Sequence, residues 1–115
     1  MYMRVEDLKA MGNCNGKLKG GVMRESVIEN RLRTEAKKRG GMALKFVSPG
    51  LNGVPDRIVL MPYGRMAFIE LKATGKTPRI LQLKRKKQIE NLGFRVLVID
   101  NIEMIGGVLD EIYRT

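Results

Sequence analysis

The chain has 115 residues and carries 22 lysines and arginines against 12 acidic residues, a formal net charge of +10. It contains no histidine and one cysteine, Cys14, which excludes histidine-based catalysis, Ser-His-Asp triads, an internal disulfide and cysteine-ligated zinc. The length fits a single domain without an apolar run long enough to cross a membrane, and the charge favours a polyanionic partner such as a nucleic acid.

Residues 1–22 are predicted to form a leader that is distinct from a domain spanning residues 23–115. Glycines at positions 12, 16, 20 and 21 interrupt any helical or strand period in this stretch. The leader is either a flexible arm or a segment that lies along a partner subunit, and its sequence leaves both alternatives open. Because it lacks the apolar core of a signal peptide, we expect a cytoplasmic protein, in a bacterial host if the chain is phage-encoded.

An amphipathic helix is predicted from about residue 24 to residue 39, and the Gly40-Gly41 pair ends it. Ser26 and Glu29 have the spacing of a capping box, in which the Glu29 side chain only reaches back to the Ser26 amide. The apolar stripe at helical spacing consists of Val27, Ile28, Leu32 and Ala36.

Three strands follow, at about residues 42–48, 58–61 and 66–69, and a Pro62-Tyr63-Gly64 turn joins the last two in a hairpin. Asp56 stands where the first hairpin strand begins, and Glu70 stands where the second ends, so the hairpin brings them to one end of the sheet. Glu70 and Lys72 are two positions apart and therefore project to the same face.

Two carboxylates and an amine at one end of a sheet form a candidate site for a divalent metal ion beside a phosphodiester. Mg²⁺ prefers oxygen ligands, usually one or two carboxylates, and a lysine can stabilise charge that develops in the transition state. In the simpler interpretation, Asp56 caps a turn while Glu70 and Lys72 form a solvated pair. The Pro55-Asp56 dipeptide at hairpin distance favours the metal site.

A second helix is predicted over residues 78–92, with Thr77 as its cap, Pro78 in its first turn and Gly93 as its stop. Gln82, Lys86 and Arg79 would face the cleft. The residues expected to pack inward are Ile80, Leu81, Ile89 and Leu92.

A buried strand over residues 94–99 and a final helix complete the chain. Asn101 can cap this helix, and the Gly106-Gly107 pair is expected to weaken or kink it. The resulting order is α-β-β-β-α-β-α, an α/β fold with a mixed sheet flanked by helices. The apolar stripe of the last helix, which is core or dimer interface, consists of Ile102, Ile105, Leu109 and Ile112.

The motifs described above resemble those of the PD-(D/E)XK nuclease superfamily, and of its VRR-NUC family in particular. The resemblance covers about residues 23–100. It implies a restriction-endonuclease-like core and a metal-dependent endonuclease acting on DNA. Small standalone members from phages and bacteria are similar to Holliday junction resolvases and work as homodimers. The matching segments are 45–50 (KFVSPG), 53–58 (GVPDRI), 68–72 (FIELK), Thr77-Pro78, Gln82 and 92–96 (LGFRV).

The resemblance also implies roles for individual residues. Asp56, Glu70 and the carbonyl of Leu71 would bind Mg²⁺ or Mn²⁺, and Glu29 would contribute directly or through water. Glu25 lies one turn before Glu29 on the same helical face and is the alternative.

Two more residues complete the implied catalytic set. Lys72 would act on the nucleophile, and Gln82 occupies the place of a glutamine that the family carries near its metal site. An ordinary exposed amide on a helix remains the alternative for Gln82.

The basic residues are distributed unevenly along the chain. Residues 71–88 contain seven lysines and arginines and no acid, whereas residues 89–115 contain five acids and two arginines. The basic surface is therefore predicted to lie beside the candidate site. A solvated, solubilising face is the weaker alternative, because a block of one sign repels itself. The predicted DNA-contacting residues are Lys45, Arg57, Lys76, Arg79 and Lys86.

The sequence predicts a structure-selective DNA endonuclease that resolves four-way junctions as a homodimer. A flap or nicking nuclease of the same fold is the first alternative. A non-catalytic, basic nucleic-acid-binding module is the second, although the three phenylalanines and three tyrosines do not cluster as in a base-stacking platform.

Overall fold

The computed structural model describes residues 24–114. Its order of elements confirms the predicted α-β-β-β-α-β-α arrangement. The predicted leader, with Cys14, lies outside the described residues. Within residues 24–114, no helix is both long and apolar enough to span a bilayer. The elements are α1 (Glu25–Lys38), β1 (Met42–Lys45), β2 (Arg57–Met61), β3 (Arg65–Leu71), α2 (Ile80–Asn91), β4 (Val96–Ile99) and α3 (Glu103–Arg114).

The four strands form one mixed sheet in the order β1-β2-β3-β4. β1, β2 and β3 pair in antiparallel fashion, whereas β4 runs parallel to β3. The hairpin between β2 and β3 turns through Pro62–Gly64, where Tyr63 and Gly64 have φ angles of 68° and 75°. In its register Arg57 lies opposite Ile69, so the end of β3 meets the start of β2.

One face of the sheet is covered by α1 and α3, and the main core lies between these two helices and the sheet. The Arg39–Asp110 ion pair also links the end of α1 to α3. As predicted, Ile105, Leu109 and Ile112 are buried on α3, which continues through Gly106 and Gly107. The buried strand residues of this core are Val59, Met61, Ala67, Ile69, Leu71 and Ile99.

The other face of the sheet is covered only in part, because α2 lies alongside β4. The predicted inward packing of Ile80, Leu81 and Leu92 is wrong, since they are 87, 40 and 75% exposed and α2 has no buried residue. The inward positions are Gln82, Lys86 and the half-buried Ile89, which share one face of the helix. α2 thus presents polar side chains to the sheet.

Several helices and strands begin or end a few residues away from their predicted boundaries. Arg24 is the N-cap of α1, so Ser26 lies within the helix and does not cap it. α2 begins after Arg79, so Thr77 and Pro78 lie outside it. β1 ends at Lys45 and β4 starts at Val96, both shorter than predicted.

The predicted cap of α3 is confirmed. The Asn101 Oδ1 atom accepts a hydrogen bond of 2.9 Å from the Glu103 amide.

Candidate active site

The hairpin register places the predicted acids at the same end of the sheet. Asp56 directly precedes β2, and Glu70 is the penultimate residue of β3. The Leu71 amide donates a hydrogen bond of 3.3 Å to Asp56 Oδ1. The side chain of Asp56 is thereby held against the end of β3, next to Glu70.

Glu70 is the centre of a polar cluster. The residue is only 5% exposed, and its Oε2 atom lies 3.2 Å from Lys72 Nζ. Gln82 of α2 donates a hydrogen bond of 2.7 Å from Nε2 to the same oxygen. The structure therefore brings together Asp56, Glu70, Lys72 and Gln82, as the sequence predicts.

Gln82 also shapes the start of α2. Its Oε1 atom accepts a hydrogen bond of 2.8 Å from the Arg79 amide. Because its oxygen is used by the helix N-terminus, its NH₂ group is the end that faces Glu70. The helix start thus determines which group Gln82 presents to the site.

The electrostatics of the cluster disfavour ionised Glu70. Burial raises the pKa of the Glu70 carboxyl, and the neighbouring charge of Asp56 raises it further. The Lys72 ammonium opposes both effects, and Glu25 adds a smaller upward contribution to the pKa of Glu70. Two carboxylates therefore repel one another here in a way that a bound cation would relieve.

The raised pKa predicts how stability depends on pH in EDTA. Folded Glu70 holds its proton more tightly than the unfolded chain does, so its stabilising contribution is complete below the usual pKa of 4.5. This contribution is lost as pH rises through the higher pKa of the folded state. Glu70→Gln has no proton to lose, so the melting temperature of wild type should fall relative to that of the variant.

Thermal unfolding between about pH 4 and about pH 7 measures this difference. Glu103→Gln, which changes an exposed acid on α3, should follow the wild type. Parallel curves for wild type and Glu70→Gln would contradict the raised pKa.

The donor set fits a hard divalent cation. Asp56 and Glu70 supply carboxylate oxygens, and the Leu71 carbonyl faces the same gap as the Leu71 amide, because both groups of a strand residue point to one side. Between residues 24 and 114, no group of three or more acidic or cysteine side chains is assembled as a metal cluster. Two carboxylates with a carbonyl and waters are what Mg²⁺ commonly uses.

The helix acid proposed from the sequence has a different neighbour. Glu29 Oε2 lies 2.8 Å from Arg57 Nη2, so its carboxylate is engaged by a buried arginine. Glu25 is exposed at the start of α1, and its charge acts on Glu70. Of these two acids of α1, Glu25 is thus the one whose charge affects the pKa of Glu70.

The predicted DNA-contacting residues divide into two groups. Lys45, Lys76 and Arg79 are exposed, and Lys86 lines the cleft beside Glu70 and Gln82 while pairing with Glu90 at 2.7 Å. Contact of these four with DNA stays a prediction.

Arg57 requires a correction, because it is 6% exposed and its guanidinium is bonded within the protein. The sequence could have indicated this burial, because the alternation of side chains along a strand puts Arg57 on the same face as the apolar Val59 and Met61.

Comparisons with known proteins relate the chain to a nuclease and to a known fold. No protein-family model matches the chain. The curated "Putative nuclease p44" of Acyrthosiphon pisum secondary endosymbiont phage 1 is 45% identical over 83 residues, which cover 72% of this chain and 89% of that protein. A solved structure described as "VRR_NUC domain" is 23% identical, with a TM-score of 0.71, and the match covers 75% of this chain and 94% of that one. The first likeness is close enough to show a shared family, and the second shows a shared fold.

Proposed function

Because this chain belongs to the VRR-NUC family of nucleases, we propose that it is a metal-dependent endonuclease that hydrolyses phosphodiester bonds in DNA. The convergence of Asp56, Glu70 and Lys72 at one end of the sheet carries this proposal. Burial raises the pKa of Glu70, and the neighbouring charge of Asp56 raises it further. A protein that only bound phosphate would gain nothing from two acids at this position.

The residues that would hold Mg²⁺ or Mn²⁺ are Asp56, Glu70 and the Leu71 carbonyl, with a carboxylate of α1 contributing directly or through water. When bound, the cation neutralises charge on the phosphate oxygens and lowers the pKa of a water molecule. The hydrogen bond from Gln82 orients Glu70, and that from the Leu71 amide orients Asp56.

Lys72 is the residue that would act on the reacting phosphate and the attacking water. Its ammonium lies beside Glu70, where a point charge can stabilise the developing negative charge. The water oxygen would bond to phosphorus as the bond to the 3′ oxygen breaks, and the proton lost by the water would be balanced by one gained by the 3′ oxygen. The products have a 5′-phosphate and a 3′-hydroxyl, as is usual in the family.

DNA is the substrate that fits the charge of the chain best. The basic stretch at residues 71–88 runs from the site through α2, so a phosphate backbone would be attracted alongside the acids. Lys45, Lys76, Arg79 and Lys86 are the proposed contacts. A phage relative supports a location in the cytoplasm of a bacterial host.

We propose a four-way junction as the substrate and a homodimer as the active form. A dimer with two-fold symmetry would position two active sites so that they make paired nicks across the junction. Support for association comes from the sheet face turned away from α1, where Met42 and Leu44 are 51 and 44% exposed. Leu60 and Met66 lie on the same face in the strand register. Exposed apolar patches of this kind commonly mark interaction sites.

A charge placed on this face should disrupt the dimer. Leu44→Lys puts an ammonium where a second copy would pack, so the mass in solution should fall from twice 13.0 kDa to 13.0 kDa. Sedimentation velocity measures the change. Met104→Lys on α3, at the opposite side of the sheet, is the matched control and should remain dimeric. A monomeric wild type would rule out the dimer.

Cleavage of a labelled four-way junction, a flap and a linear duplex in Mg²⁺, Mn²⁺ or EDTA tests the substrate. Paired symmetric nicks in the junction alone, lost in EDTA, are the expected result. Metal-dependent cutting of the flap or duplex would keep the nuclease and replace the junction by a flap or nicking substrate. Tight binding without any cutting would favour the non-catalytic binding module.

A further inference from the structure

Arg57 lies on the covered face of the sheet, where an apolar residue would be expected. It is 6% exposed and shares this face with Val59 and Met61 of the same strand. Its Nε atom is buried and has no hydrogen-bond partner among residues 24–114. Burying an arginine with one donor unpaired is costly, and apolar side chains often serve stability equally well at such positions. The arginine therefore has a role other than packing.

The other two guanidinium nitrogens of Arg57 bridge two parts of the candidate site. Nη2 lies 2.8 Å from Glu29 Oε2 on α1, and Nη1 donates a hydrogen bond of 2.8 Å to the Asp56 carbonyl oxygen. Nη1 also lies 3.8 Å from Asp56 Oδ2. Glu29 is thus tied to the main chain of the residue that carries the first acid of the site.

The main chain of Asp56 is held from a second direction as well. Its carbonyl oxygen also accepts a hydrogen bond of 2.9 Å from the Phe46 amide, just beyond β1. With the Leu71 amide on Oδ1 and Arg57 Nη1 at 3.8 Å from Oδ2, Asp56 is held by Phe46, Arg57 and Leu71. Of these contacts, the one from Arg57 connects Asp56 to α1.

We propose that Arg57 and Glu29 form a positioning pair that holds Asp56 in place against α1. Glu29 belongs to this pair and is not itself a metal ligand. The acid that α1 offers to the cleft is then Glu25, one turn earlier on the same face of the helix. This inference rests on the proposed metal-dependent site.

The fork of the guanidinium is essential to this role. Arginine presents donors in a rigid plane and can reach a carboxylate and a carbonyl at the same time. Lysine has one ammonium on a flexible stem, so Arg57→Lys keeps the charge while losing one arm of the bridge. The Arg57→Lys variant also provides a second test if Arg57→Met does not fold.

The test is the affinity of the full chain for Mn²⁺, measured by isothermal titration calorimetry without DNA. Removal of an outer partner of a metal ligand commonly lowers affinity by about tenfold or more, and we expect about this loss for Arg57→Met and Glu29→Gln. Arg57→Lys should lose about threefold to tenfold.

Arg65→Met is the matched control. Arg65 lies on the same sheet face as Arg57, also has a buried unpaired Nε, and stacks on Tyr63 and Tyr113 at the opposite end of the hairpin. This variant loses an arginine of similar setting far from the acids. Its affinity for Mn²⁺ should equal that of wild type.

The double variant separates a positioning role from direct ligation. If Glu29 acts through Arg57, adding Glu29→Gln to Arg57→Met costs no further affinity, whereas adding Glu25→Gln lowers it again by about tenfold. A further loss from Glu29→Gln in the Arg57→Met background would show direct ligation and overturn the proposal. So would unchanged affinity in both Arg57 variants.

Failure of the proposed function has a different signature. Wild type would then bind no Mn²⁺ at all, and the positioning role would fail together with the metal site. Wild-type binding with additive losses in the double variant would instead reject the pair alone and leave the metal-dependent nuclease intact.

Discussion

Asp56→Asn is expected to abolish DNA cleavage while DNA binding is retained or strengthened. Asparagine has the same shape and can still accept the hydrogen bond from the Leu71 amide, so the fold should persist. The variant removes one of the two carboxylates that would hold the cation. Charge stabilisation by a metal is worth several kcal/mol, so kcat should fall by about a thousandfold or more.

The binding result follows from the sign of the charge removed. A carboxylate inside a positive surface repels phosphate, so its loss should leave the dissociation constant unchanged or lower. Fluorescence anisotropy in EDTA gives this constant, and single-turnover cleavage of labelled DNA gives the rate. Asp110→Asn on α3, which removes the ion-pair partner of Arg39, is the control and should cleave normally.

The same variant distinguishes an enzyme from a binding module. A module that only binds nucleic acid has no metal-dependent cleavage to lose, so wild type and Asp56→Asn would behave alike in Mg²⁺. Cleavage by Asp56→Asn within about tenfold of the wild-type rate would remove Asp56 from the metal site.

Lys72→Ala should lower kcat by about a hundredfold to a thousandfold with little change in KM. The ammonium lies 3.2 Å from Glu70, where it would act on charge that develops only in the transition state. An interaction of that kind affects kcat more than substrate binding. Steady-state kinetics over a range of DNA concentrations separates the two constants.

Two controls accompany this variant. Lys72→Arg keeps a positive charge of different shape, so partial activity would identify charge as the main contribution. Lys37→Ala removes an exposed lysine of α1 and should leave kcat unchanged. A Lys72→Ala enzyme with kcat within about fivefold of wild type would exclude Lys72 from the chemistry.

The sequence predicted the hairpin and the convergence at its end because both depend on short-range rules. The Pro62-Tyr63-Gly64 turn determines the register, and the register places Asp56 beside the end of β3. The period of two along a strand then puts Glu70 and Lys72 on one face. These consequences need no knowledge of the rest of the chain.

The orientation of α2 could not be read from its apolar residues. Ile80 and Leu92 suggest a buried face, yet the helix turns Gln82 and Lys86 inward because Glu70 offers a hydrogen-bond partner there. A polar site on the sheet thus outweighs local hydrophobicity. Sequence periodicity gives the faces of a helix but not which one packs when both contain apolar residues.

The roles proposed for Arg57 and Glu29 depend on a contact between distant parts of the chain. Each residue has an ordinary local explanation, a basic surface residue and a capping glutamate, and neither explanation holds in the fold. Their ion pair appears only when α1 packs on the sheet. Long-range partners of charged residues are therefore the part of the site that the sequence left open.

The divalent-metal dependence of cleavage by wild-type protein tests the central claim most directly. A labelled four-way junction would be incubated in Mg²⁺, then with excess EDTA, and then with Mg²⁺ restored. We predict cutting that stops with EDTA and resumes when the metal returns, at a site where Asp56, Glu70 and Lys72 converge. Cutting that continues unchanged in EDTA would contradict a metal-dependent centre, and no cutting of any DNA in Mg²⁺ or Mn²⁺ would contradict the nuclease itself.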